Sequence, residues 1–190
     1  MKTAIITGAS SGLGVELLRA VAALCPEIEE FWLLARREDR LAAAAAQVEG
    51  KKTFLLPIDL TDYGRYDALR SALEEKQPDV VWLFNNAGFG ISGAVEFTGT
   101  EEAQRQLDVN FFGMVRMNRQ VLPVMRKQGY GRIVNLSSVA GAIPIPFQTY
   151  YSASKAAINS YTMALANEVK PFGIQVCCVQ PGDIRTGFTA

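Results

Sequence analysis

Short apolar segments alternate with longer helical patterns along the whole chain. Most of the short segments are continuously apolar and rich in Val, Ile and Leu, which is typical of strands buried on both faces of a sheet. Repeated alternation of strands and helices predicts an α/β fold, a doubly wound parallel sheet with helices on both faces. The six predicted strands are Thr3–Thr7, Phe31–Ala35, Thr53–Pro57, Val80–Phe84, Arg132–Ser137 and Gln175–Val179.

The stretches between these strands have the length and apolar spacing of helices. Glycine, proline and aspartate mark the joins, and no internal repeat, low-complexity tract or linker interrupts the pattern. The sequence therefore predicts one domain over residues 1–190. The predicted helices are Gly12–Leu24, Arg37–Val48, Tyr63–Lys76, Glu101–Lys127 and Tyr150–Lys170.

The balance of charges limits the classes of partner. Lys and Arg together number 19, as do Asp and Glu, so the formal net charge is zero. A nucleic-acid-binding protein should carry a basic excess, so we expect no nucleic-acid partner. No apolar run approaches the ~20 residues that span a bilayer, and the apolar stretch at the N-terminus is too short for a signal peptide. We therefore expect a cytoplasmic protein that does not enter a membrane.

The chain contains three cysteines and no histidine. The absence of histidine excludes Ser-His-Asp and Cys-His hydrolase mechanisms and histidine-based metal sites, and we expect no bound metal. Cys177 and Cys178 are adjacent on a predicted strand, so their side chains point to opposite faces. Together with Cys25 they are expected to be core thiols of a protein in a reducing compartment.

A glycine-rich turn connects the first predicted strand to the first helix. Its sequence is Thr-Gly-Ala-Ser-Ser-Gly-Leu-Gly, residues 7–14. Glycines permit a tight turn and a close approach of backbone to a pyrophosphate, and the helix N-terminus supplies N–H donors and partial positive charge. The turn therefore predicts a dinucleotide site, and the alternative is a strand-to-helix connection without a ligand. Its spacing, G-x-x-x-G-x-G, differs from the common G-x-G-x-x-G fingerprint.

Tyr151 and Lys155 place a phenol and an ammonium group four residues apart on a predicted helix. Residues at this spacing lie on the same helix face. A nearby cation favours phenolate, which lowers the pKa of a tyrosine from its ordinary value of about 10. We therefore expect Tyr151 to exchange a proton with an alcohol near neutral pH. Many helices carry such a pair by chance, so the hypothesis depends on the rest of the chain.

Further motifs follow the glycine turn in a fixed order. They are Asn85–Gly88 (NNAG), Asn110 within Asp-Val-Asn, Asn135–Ser138, Tyr151–Lys155 (YxxxK) and Pro181–Thr186 (PGxxxT). With Thr7–Gly14 (TGxxxGxG), this set resembles the motifs of the short-chain dehydrogenase/reductase family. Each motif is modest alone, whereas the ordered set covers the whole chain and is highly specific. The resemblance implies a Rossmann-like sheet with strand order 3-2-1-4-5-6 and without the family's seventh strand.

The resemblance implies an oxidoreductase that transfers a hydride between a nicotinamide cofactor and a carbonyl or secondary alcohol. In the family pattern Tyr151 is the acid/base, and Lys155 lowers the tyrosine pKa and hydrogen-bonds the nicotinamide ribose. Ser138 orients and polarises the carbonyl oxygen. Asn110 holds a water that links Lys155 to solvent.

Neighbouring residues compete for two of these roles. Four residues after Tyr150 is Ser154 rather than a lysine, so Tyr150 lacks the cation. In the family the serine lies thirteen residues before the tyrosine, which selects Ser138 and leaves Ser137 to the strand end. The alternatives without catalysis are a packing or helix-end role for Asn110 and a strand-end role for Ser138.

The end of the second strand bears on the choice of cofactor. In doubly wound folds an acidic residue there pairs with the ribose 2′-hydroxyl of NAD, and an arginine accommodates the 2′-phosphate of NADP. Ala35 occupies the acidic position and Arg36 follows it, which favours NADP(H) over NAD(H). Alternatively, Arg36 and Arg37 only begin a solvated helix. The resemblance also places Asp59 and Leu60 against the adenine, although Asp59 has an alternative role as a helix N-cap.

The resemblance implies further contacts with the cofactor and a substrate pocket. Phe89, Gly90, Ile91 and Pro144–Phe147 follow the fourth and fifth strands, and some of them are expected to line an apolar pocket. Surface packing is the alternative for each. The implied cofactor contacts are Gly8, Ser10, Ser11, Gly12, Leu13, Gly14, Arg36, Asp59, Leu60, Asn86, Ala87, Gly88, Tyr151, Lys155, Pro181, Gly182, Ile184 and Thr186.

The chain is shorter than the family pattern. Typical members have about 250 residues and continue into a mobile substrate loop, helices and a last strand, which do not follow Ala190 here. We expect a complete cofactor half without the substrate lid, which leaves the activity of the 190-residue species open.

The long predicted helices at 101–127 and 150–170 form a common dimer face in the family, which implies a homodimer or homotetramer. The alternative is an apolar stripe that faces only its own sheet. Two other functions compete with the oxidoreductase: a non-catalytic nucleotide-binding protein such as a redox sensor, and sugar-nucleotide epimerase or dehydratase chemistry. The intact catalytic set argues against the first, and the glycine spacing argues against the second.

Overall fold

A six-stranded parallel sheet forms the centre of the molecule. The computed structural model describes residues 1–184. The strand order is β3-β2-β1-β4-β5-β6, so the predicted fold class and strand order are confirmed. The predicted strands agree with the observed ones to within one residue at each end. The strands are β1 Lys2–Thr7, β2 Glu30–Ala35, β3 Lys52–Pro57, β4 Asp79–Asn85, β5 Gly131–Leu136 and β6 Ile174–Val179.

Helices connect the strands. The α-helices are α1 Gly12–Leu24, α2 Glu38–Ala45, α3 Tyr66–Lys76, α4 Thr100–Leu107, α5 Gly113–Gln128 and α6 Thr149–Val169. Short 3₁₀ turns lie at Tyr63–Arg65, Val95–Phe97, Val139–Gly141 and Lys170–Phe172. A π-helical turn at Asp108–Phe112 joins α4 to α5, so the single long helix predicted there contains an irregular turn in its middle.

Two apolar layers hold the helices against the sheet. Because side chains alternate along a strand, Ile5 belongs to one layer while Ala4 and Ile6 belong to the other. The first layer contains residues of α3, α5 and α6, and the second contains residues of α1 and α2. A fully buried Leu or Ile stabilises the fold by about 1.5–3 kcal/mol. Helices therefore cover both faces, as the continuously apolar strands predicted.

The expectation that all three cysteines are core thiols is wrong for Cys177, which is exposed. Cys25 and Cys178 are half-buried. Only β5 pairs with β6 among the described strands, and along β6 the residues Gln175, Cys177 and Val179 all face an exposed side. An apolar run on an edge strand thus does not guarantee burial on both faces.

Within residues 1–184, no helix combines the length and the apolarity needed to cross a membrane. The same part of the chain holds no group of three or more Cys, Asp or Glu side chains arranged to bind a metal ion.

Candidate cofactor and active site

The candidate site lies at the carboxyl ends of β1, β4 and β5. These strands are parallel neighbours, so the segments that follow them meet at one edge of the sheet. The glycine turn follows β1, Asn86–Gly88 follows β4, and Ser138 follows β5. The first turn of α6 then supplies Tyr151. Ligand sites of open α/β sheets lie at this edge.

The three glycines of the turn are each required by its geometry. Gly8 and Gly12 have positive φ angles of 67° and 52°, which side chains other than glycine rarely adopt. A Cβ at Gly14 would lie 2.1 Å from the carbonyl oxygen of Gly8. The turn is therefore tight because of its backbone angles and because α1 packs directly against it.

The N-terminus of α1 suits an anion. Ser11 is the N-cap residue, its side chain makes no capping hydrogen bond, and the first turn carries no acidic residue. Ser11 and Gly12 are exposed, while Ser10 and Leu13 are half-buried. The N–H groups of a helix N-terminus bind phosphate readily. The glycine cradle and these donors together fit the pyrophosphate of a dinucleotide.

Asn86 joins the β4 end to the glycine turn. Its side-chain Nδ2 donates to the Thr7 carbonyl at 3.1 Å, and its backbone N–H donates to the Thr7 hydroxyl at 3.0 Å. Ala87 N–H also donates to the Thr7 hydroxyl, at 3.1 Å. A Cβ at Gly8 would lie 2.9 Å from the Ala87 Cα. Asn86 thus links the end of β4 to the end of the neighbouring strand β1.

The segment after β3 contains Asp59 and Leu60, the two predicted adenine contacts. Asp59 accepts hydrogen bonds from the Thr61 N–H at 2.9 Å and the Thr61 hydroxyl at 2.8 Å. Burial raises the pKa of Asp59, but these hydrogen bonds and nearby Arg36 and Arg105 lower it overall. Asp62, not Asp59, caps the following 3₁₀ turn through the Gly64 N–H.

Arg36 follows β2 and is exposed. Its positive charge lowers the pKa of Asp59, so its guanidinium lies near the segment after β3. Arg37 is the N-cap residue of α2, which has Glu38 and Asp39 in its first turn. The two arginines therefore differ in setting, since only Arg37 belongs to the start of the helix.

Lys155 is the most deeply buried charged group of the candidate site. It is 4% exposed, and its Nζ donates to the Leu136 carbonyl at 2.8 Å. The Nζ lies 5.6 Å from the centre of the Tyr151 ring. Burial lowers the pKa of Lys155 to about 8, since removal from water disfavours the charged form.

The expectation that the pKa of Tyr151 lies below its ordinary value is wrong for this arrangement. Burial raises the pKa of Tyr151, and a hydrogen bond with Ser138 only partly offsets it. The ammonium group of Lys155 donates to the Leu136 carbonyl. The neutral phenol is therefore the favoured form.

The two serines after β5 have different surroundings. Ser138 is buried, hydrogen-bonds Tyr151 and accepts from the Ala140 N–H at 3.1 Å. Ser137 instead donates to the Lys155 carbonyl at 2.9 Å. Ser138 thus faces the phenol, and Ser137 ties the strand end to α6.

Asn110 lies in the π-helical turn and is 1% exposed. Its Oδ1 accepts from the Phe89 N–H at 2.9 Å, and its Nδ2 donates to the Phe89 carbonyl at 2.9 Å and the Ser154 hydroxyl at 3.1 Å. A Cβ at Gly88 would lie 3.2 Å from the Asn110 Oδ1 and 3.6 Å from the Lys155 Nζ. Asn110 and Lys155 therefore converge at Gly88.

The sequence model of the short chain dehydrogenase family matches residues 2–190. The chain belongs to this family. A curated relative, 3-ketodihydrosphingosine reductase of Bacteroides thetaiotaomicron, is 48% identical over 141 residues, covering 73% of this chain and 51% of its own length. In three of the matching curated relatives, this short-chain dehydrogenase chain spans about half to two thirds of the relative's length, from 51% to 66%.

Solved structures of short-chain dehydrogenases share the fold, and some of them contain a nicotinamide cofactor. A short-chain dehydrogenase from Sphingobium yanoikuyae in complex with NADPH is 32% identical, with a TM-score of 0.90, covering 99% of this chain and 73% of that one. An NAD⁺-bound xylitol dehydrogenase is 29% identical, with a TM-score of 0.86, covering 95% of this chain and 70% of that one. Both cofactors therefore occur among its structural neighbours.

Sequence reasoning missed a buried amide that supports Asn110 in this short-chain dehydrogenase. Gln106 is fully buried, and its Nε2 donates to the Phe89 carbonyl at 3.4 Å. Its four-residue spacing from Asn110 places both on one helix face, and this spacing was the only available signal. The backbone of Phe89 is thus held by two side chains.

A second missed feature is a buried amide network beneath the site. The Asn85 Nδ2 donates to the Oδ1 atoms of Asn118 at 2.8 Å and Asn135 at 2.9 Å. The Asn135 Nδ2 continues to the Thr162 hydroxyl at 3.0 Å. The network ties β4 and β5 to α5 and α6, so it fixes the strand ends that carry the site.

The loops after β4 and β5 carry exposed apolar side chains. Phe97, Ile143 and Phe147 are 87%, 74% and 67% exposed. Phe147 has a positive φ of 62°, and its carbonyl accepts from the Gly93 N–H at 2.8 Å, which joins the two loops. A bulky residue with positive φ is an outlier that often marks a functional segment.

The predicted pocket residues lie in these loops with unequal exposure. Pro144, Ile145 and Pro146 are exposed, and Phe89 and Ile91 are half-buried.

The segment after β6 approaches Ser138. The Pro181 carbonyl accepts from the Val139 N–H at 3.0 Å, and the Ser137 N–H donates to the Val179 carbonyl at 2.8 Å. Among residues 1–184, nothing lies within 4 Å of a Cβ added at Gly182, and Ile184 is 50% exposed. Thr186, the last predicted contact, lies outside the described residues.

Proposed function

We propose that the protein is an NAD(P)-dependent oxidoreductase that interconverts a carbonyl and a secondary alcohol, with Tyr151 as the acid/base. The observation that carries this proposal is the convergence of four side chains. Lys155 and Asn110 meet at Gly88, and Tyr151 hydrogen-bonds Ser138, all beside a glycine turn that fits a pyrophosphate. A bound nicotinamide cofactor would supply or accept the hydride.

The chain's own residues then handle the substrate oxygen and its proton. Tyr151 donates a proton to the carbonyl oxygen in reduction and accepts one from the alcohol in oxidation. Ser138 orients the same oxygen. The hydrogen bond between the hydroxyls of Ser138 and Tyr151 holds both groups close to this oxygen. Lys155 holds the ribose side of the cofactor, and Asn110 connects this lysine to the proton supply.

The electrostatics support reduction as the favoured direction. Burial raises the pKa of Tyr151, so the phenol carries its proton at neutral pH and is ready to donate it. The Lys155 pKa of about 8 leaves a second group that can exchange protons at neutral to mildly alkaline pH. We therefore expect carbonyl reduction to slow, and alcohol oxidation to quicken, as the pH rises through the alkaline range.

NADP(H) is the proposed cofactor. The exposed Arg36 follows β2 at the position where an arginine accommodates the 2′-phosphate, and Ala35 leaves no carboxylate to repel it. NAD(H) is the alternative.

An apolar ketone is the proposed substrate class. Phe97, Ile143 and Phe147 are exposed in the loops that follow β4 and β5, and exposed apolar patches mark binding surfaces. The curated relative that is 48% identical is named for a ketone on a long-chain base, and one structural neighbour, 30% identical with a TM-score of 0.88, is specific for bulky-bulky ketones. The polyol dehydrogenase neighbour makes a polar alcohol the alternative.

We also propose that residues 1–190 act as one catalytic domain of a cytoplasmic protein. The candidate dimer face is the one predicted at 101–127 and 150–170. Phe112 and Met163 lie on these segments and are 47% and 65% exposed. Sedimentation of the purified protein would decide between a monomer and a dimer or tetramer.

The test of the proposed function is substitution of Tyr151 by phenylalanine. Loss of a general acid/base lowers turnover by about 10²- to 10⁴-fold, so Tyr151→Phe should remove NADPH consumption with ketone substrates and leave the dissociation constant of NADPH unchanged. Tyr150→Phe is the matched control and should retain turnover. Unchanged turnover in Tyr151→Phe would refute the assignment, while cofactor binding without turnover of any ketone by the unaltered protein would favour the non-catalytic nucleotide-binding alternative.

A further inference from the structure

Arg116 lies in α5 and is 9% exposed. Its guanidinium donates from Nη1 to the Leu60 carbonyl at 2.8 Å and from Nη2 to the Asp108 Oδ1 at 2.5 Å. Nη2 also hydrogen-bonds the Tyr63 hydroxyl, and the guanidinium carbon lies 3.9 Å from the centre of the Tyr63 ring. A buried arginine with a carboxylate, a carbonyl and an aromatic partner is held in one orientation.

The partners of Arg116 belong to two separate parts of the candidate cofactor site. Leu60 and Tyr63 follow β3, on the adenine side. Asp108 begins the π-helical turn whose third residue is Asn110. One side chain therefore links the adenine-side segment to the turn that presents Asn110.

The contacts around Leu60 leave little freedom for this link. The Tyr66 hydroxyl donates to the same Leu60 carbonyl at 3.1 Å. A Cβ at Gly113, directly after the π-helical turn, would lie 3.0 Å from the Leu60 Cβ. The start of α5 thus packs closely on the adenine-side segment, and Arg116 sits at the centre of the contact.

We propose that Arg116 is a positioning residue that fixes the adenine-side segment, residues 58–62, and the Asn110 turn, residues 108–112, relative to each other. The proposal rests on the proposed function, because it assigns these segments to the two halves of one cofactor. Misplacement of a reacting group by about 1 Å costs on the order of 100-fold in rate. A change at Arg116 should therefore affect both the binding of the adenine half and the turnover at the nicotinamide half.

This double effect separates Arg116 from residues that serve one half. Loss of Arg36 should weaken cofactor binding with little change in kcat, and loss of Asn110 should lower kcat with little change in binding. An arginine with a purely structural role would lower the melting temperature without moving either parameter at temperatures where the protein is folded.

The experiment compares Arg116→Met and Arg116→Lys with Arg126→Met. Arg126 is a matched control because it lies on the same helix and also contacts a carboxylate, Glu168 at 3.2 Å, and an aromatic ring, Phe172 at 4.1 Å. It is near the other end of α5, away from the candidate site. Arg116→Lys keeps the charge but loses the planar fork, and it covers the case in which Arg116→Met fails to fold.

Two readouts are independent of turnover. Titration with adenosine 2′,5′-bisphosphate measures the adenine half alone, and amide hydrogen exchange measures the two segments in the protein without added cofactor. For both Arg116 variants we expect ~10-fold weaker binding of the bisphosphate, at the low end of couplings between linked sites. We also expect faster exchange in both 58–62 and 108–112, and a lower kcat for ketone reduction. Arg126→Met should change none of these.

The positioning role would be overturned if amide exchange in the Arg116 variants became faster in only one of the two segments. It would also be overturned if exchange in both segments were no faster than in Arg126→Met. Normal bisphosphate binding and kcat in a folded Arg116 variant would overturn it as well. If the unaltered protein bound no bisphosphate, the proposed preference for NADP(H) would fail instead, and if Tyr151→Phe kept full turnover, the proposed function would fail. The hydrogen-exchange result still decides whether Arg116 holds the two segments together.

Discussion

The glycine turn and the reaction centre lie beside each other but depend on opposite properties of their residues. At the turn no room remains for added atoms, since a Cβ at Gly14 would lie 2.1 Å from the Gly8 carbonyl oxygen. At the reaction centre polar atoms are withdrawn from water, and Ser138 and Lys155 are 9% and 4% exposed. The turn should therefore be sensitive to atoms gained, and the centre to atoms lost or charges moved.

This difference teaches which properties a sequence reports directly. The conformation of a tight turn is determined by a few consecutive residues, so three glycines at a fixed spacing predict it. A buried acid/base centre is set by packing between α6 and the ends of distant strands. Its residue types can be read from the sequence, whereas its pKa values depend on contacts that form only in the folded protein.

The largest effect is expected from a single added methyl group at the turn. In Gly14→Ala the new Cβ meets backbone atoms that cannot move aside, so unfolding should become easier by about 3 kcal/mol, the upper end for overpacking. NADPH binding should be lost at the same time because the turn must open. Urea unfolding and calorimetric titration measure the two effects.

Gly64→Ala is the matched control for the turn, since its Cβ would make only an ordinary contact of 3.5 Å with the Asp62 Oδ1. It should leave binding unchanged. Normal NADPH affinity in Gly14→Ala would mean that the turn is not the pyrophosphate site.

The fold was predictable from the sequence to a large extent. Strands buried on both faces are continuously apolar, and this pattern located each strand to within one residue. The π-helical turn at 108–112 was not predicted, because one extra residue per turn hardly alters the apolar spacing of a long helix. The exposure of Cys177 was also missed, because an edge strand and a central strand have similar sequences.

The second prediction concerns the buried charge of Lys155. Its pKa is about 8 in the folded protein, against an ordinary value of 10.5. Between these two pH values the unfolded chain therefore binds more protons than the folded protein. As a result, Lys155 makes the free energy of unfolding increase with pH in this range. The difference corresponds to roughly 3 kcal/mol. We compare the free energy of unfolding of the unaltered protein with that of Lys155→Met. Between neutral pH and a pH above 10.5, the free energy of the unaltered protein should rise by about this amount relative to that of the variant.

Taking the difference between the two proteins cancels the titration of the tyrosines and cysteines in the same pH range. Lys127→Met, at an exposed lysine, should show no such shift. A constant difference between Lys155→Met and the unaltered protein across the range would show that the Lys155 ammonium is solvated, contrary to its burial.

The two serines after β5 give the third prediction, which separates catalysis from packing. Ser138→Ala removes the hydroxyl that hydrogen-bonds Tyr151 and should lower kcat by about 100-fold, as for loss of one oxygen-stabilising donor. Ser137→Ala removes the bond to the Lys155 carbonyl and should cost about 1 kcal/mol of stability with little change in kcat. Steady-state kinetics and urea unfolding of both variants measure the contrast, and equal losses of kcat would remove the distinction.

The candidate site was predictable in its residue types but not in its charges. The ordered motifs named Asn110, Ser138, Tyr151 and Lys155, and the structure brings these four side chains to one edge of the sheet. The pKa of Tyr151 was predicted in the wrong direction because burial raises it, and burial is a property of tertiary packing. Gln106 had no motif, since a buried glutamine looks like any polar residue of a helix.

The smallest effect is expected outside both regions, at Arg36. Its guanidinium is exposed, so a bond to the 2′-phosphate is partly screened by water and should contribute about 1.4 kcal/mol, or tenfold in affinity. Arg36→Ala should weaken NADP⁺ binding by that factor and leave NAD⁺ binding unchanged, as measured by calorimetric titration with each cofactor. Arg37→Ala is the control, because Arg37 begins α2. Equal weakening of both cofactors would make Arg36 a general phosphate contact, and tighter binding of NAD⁺ by the unaltered protein would reverse the proposed preference.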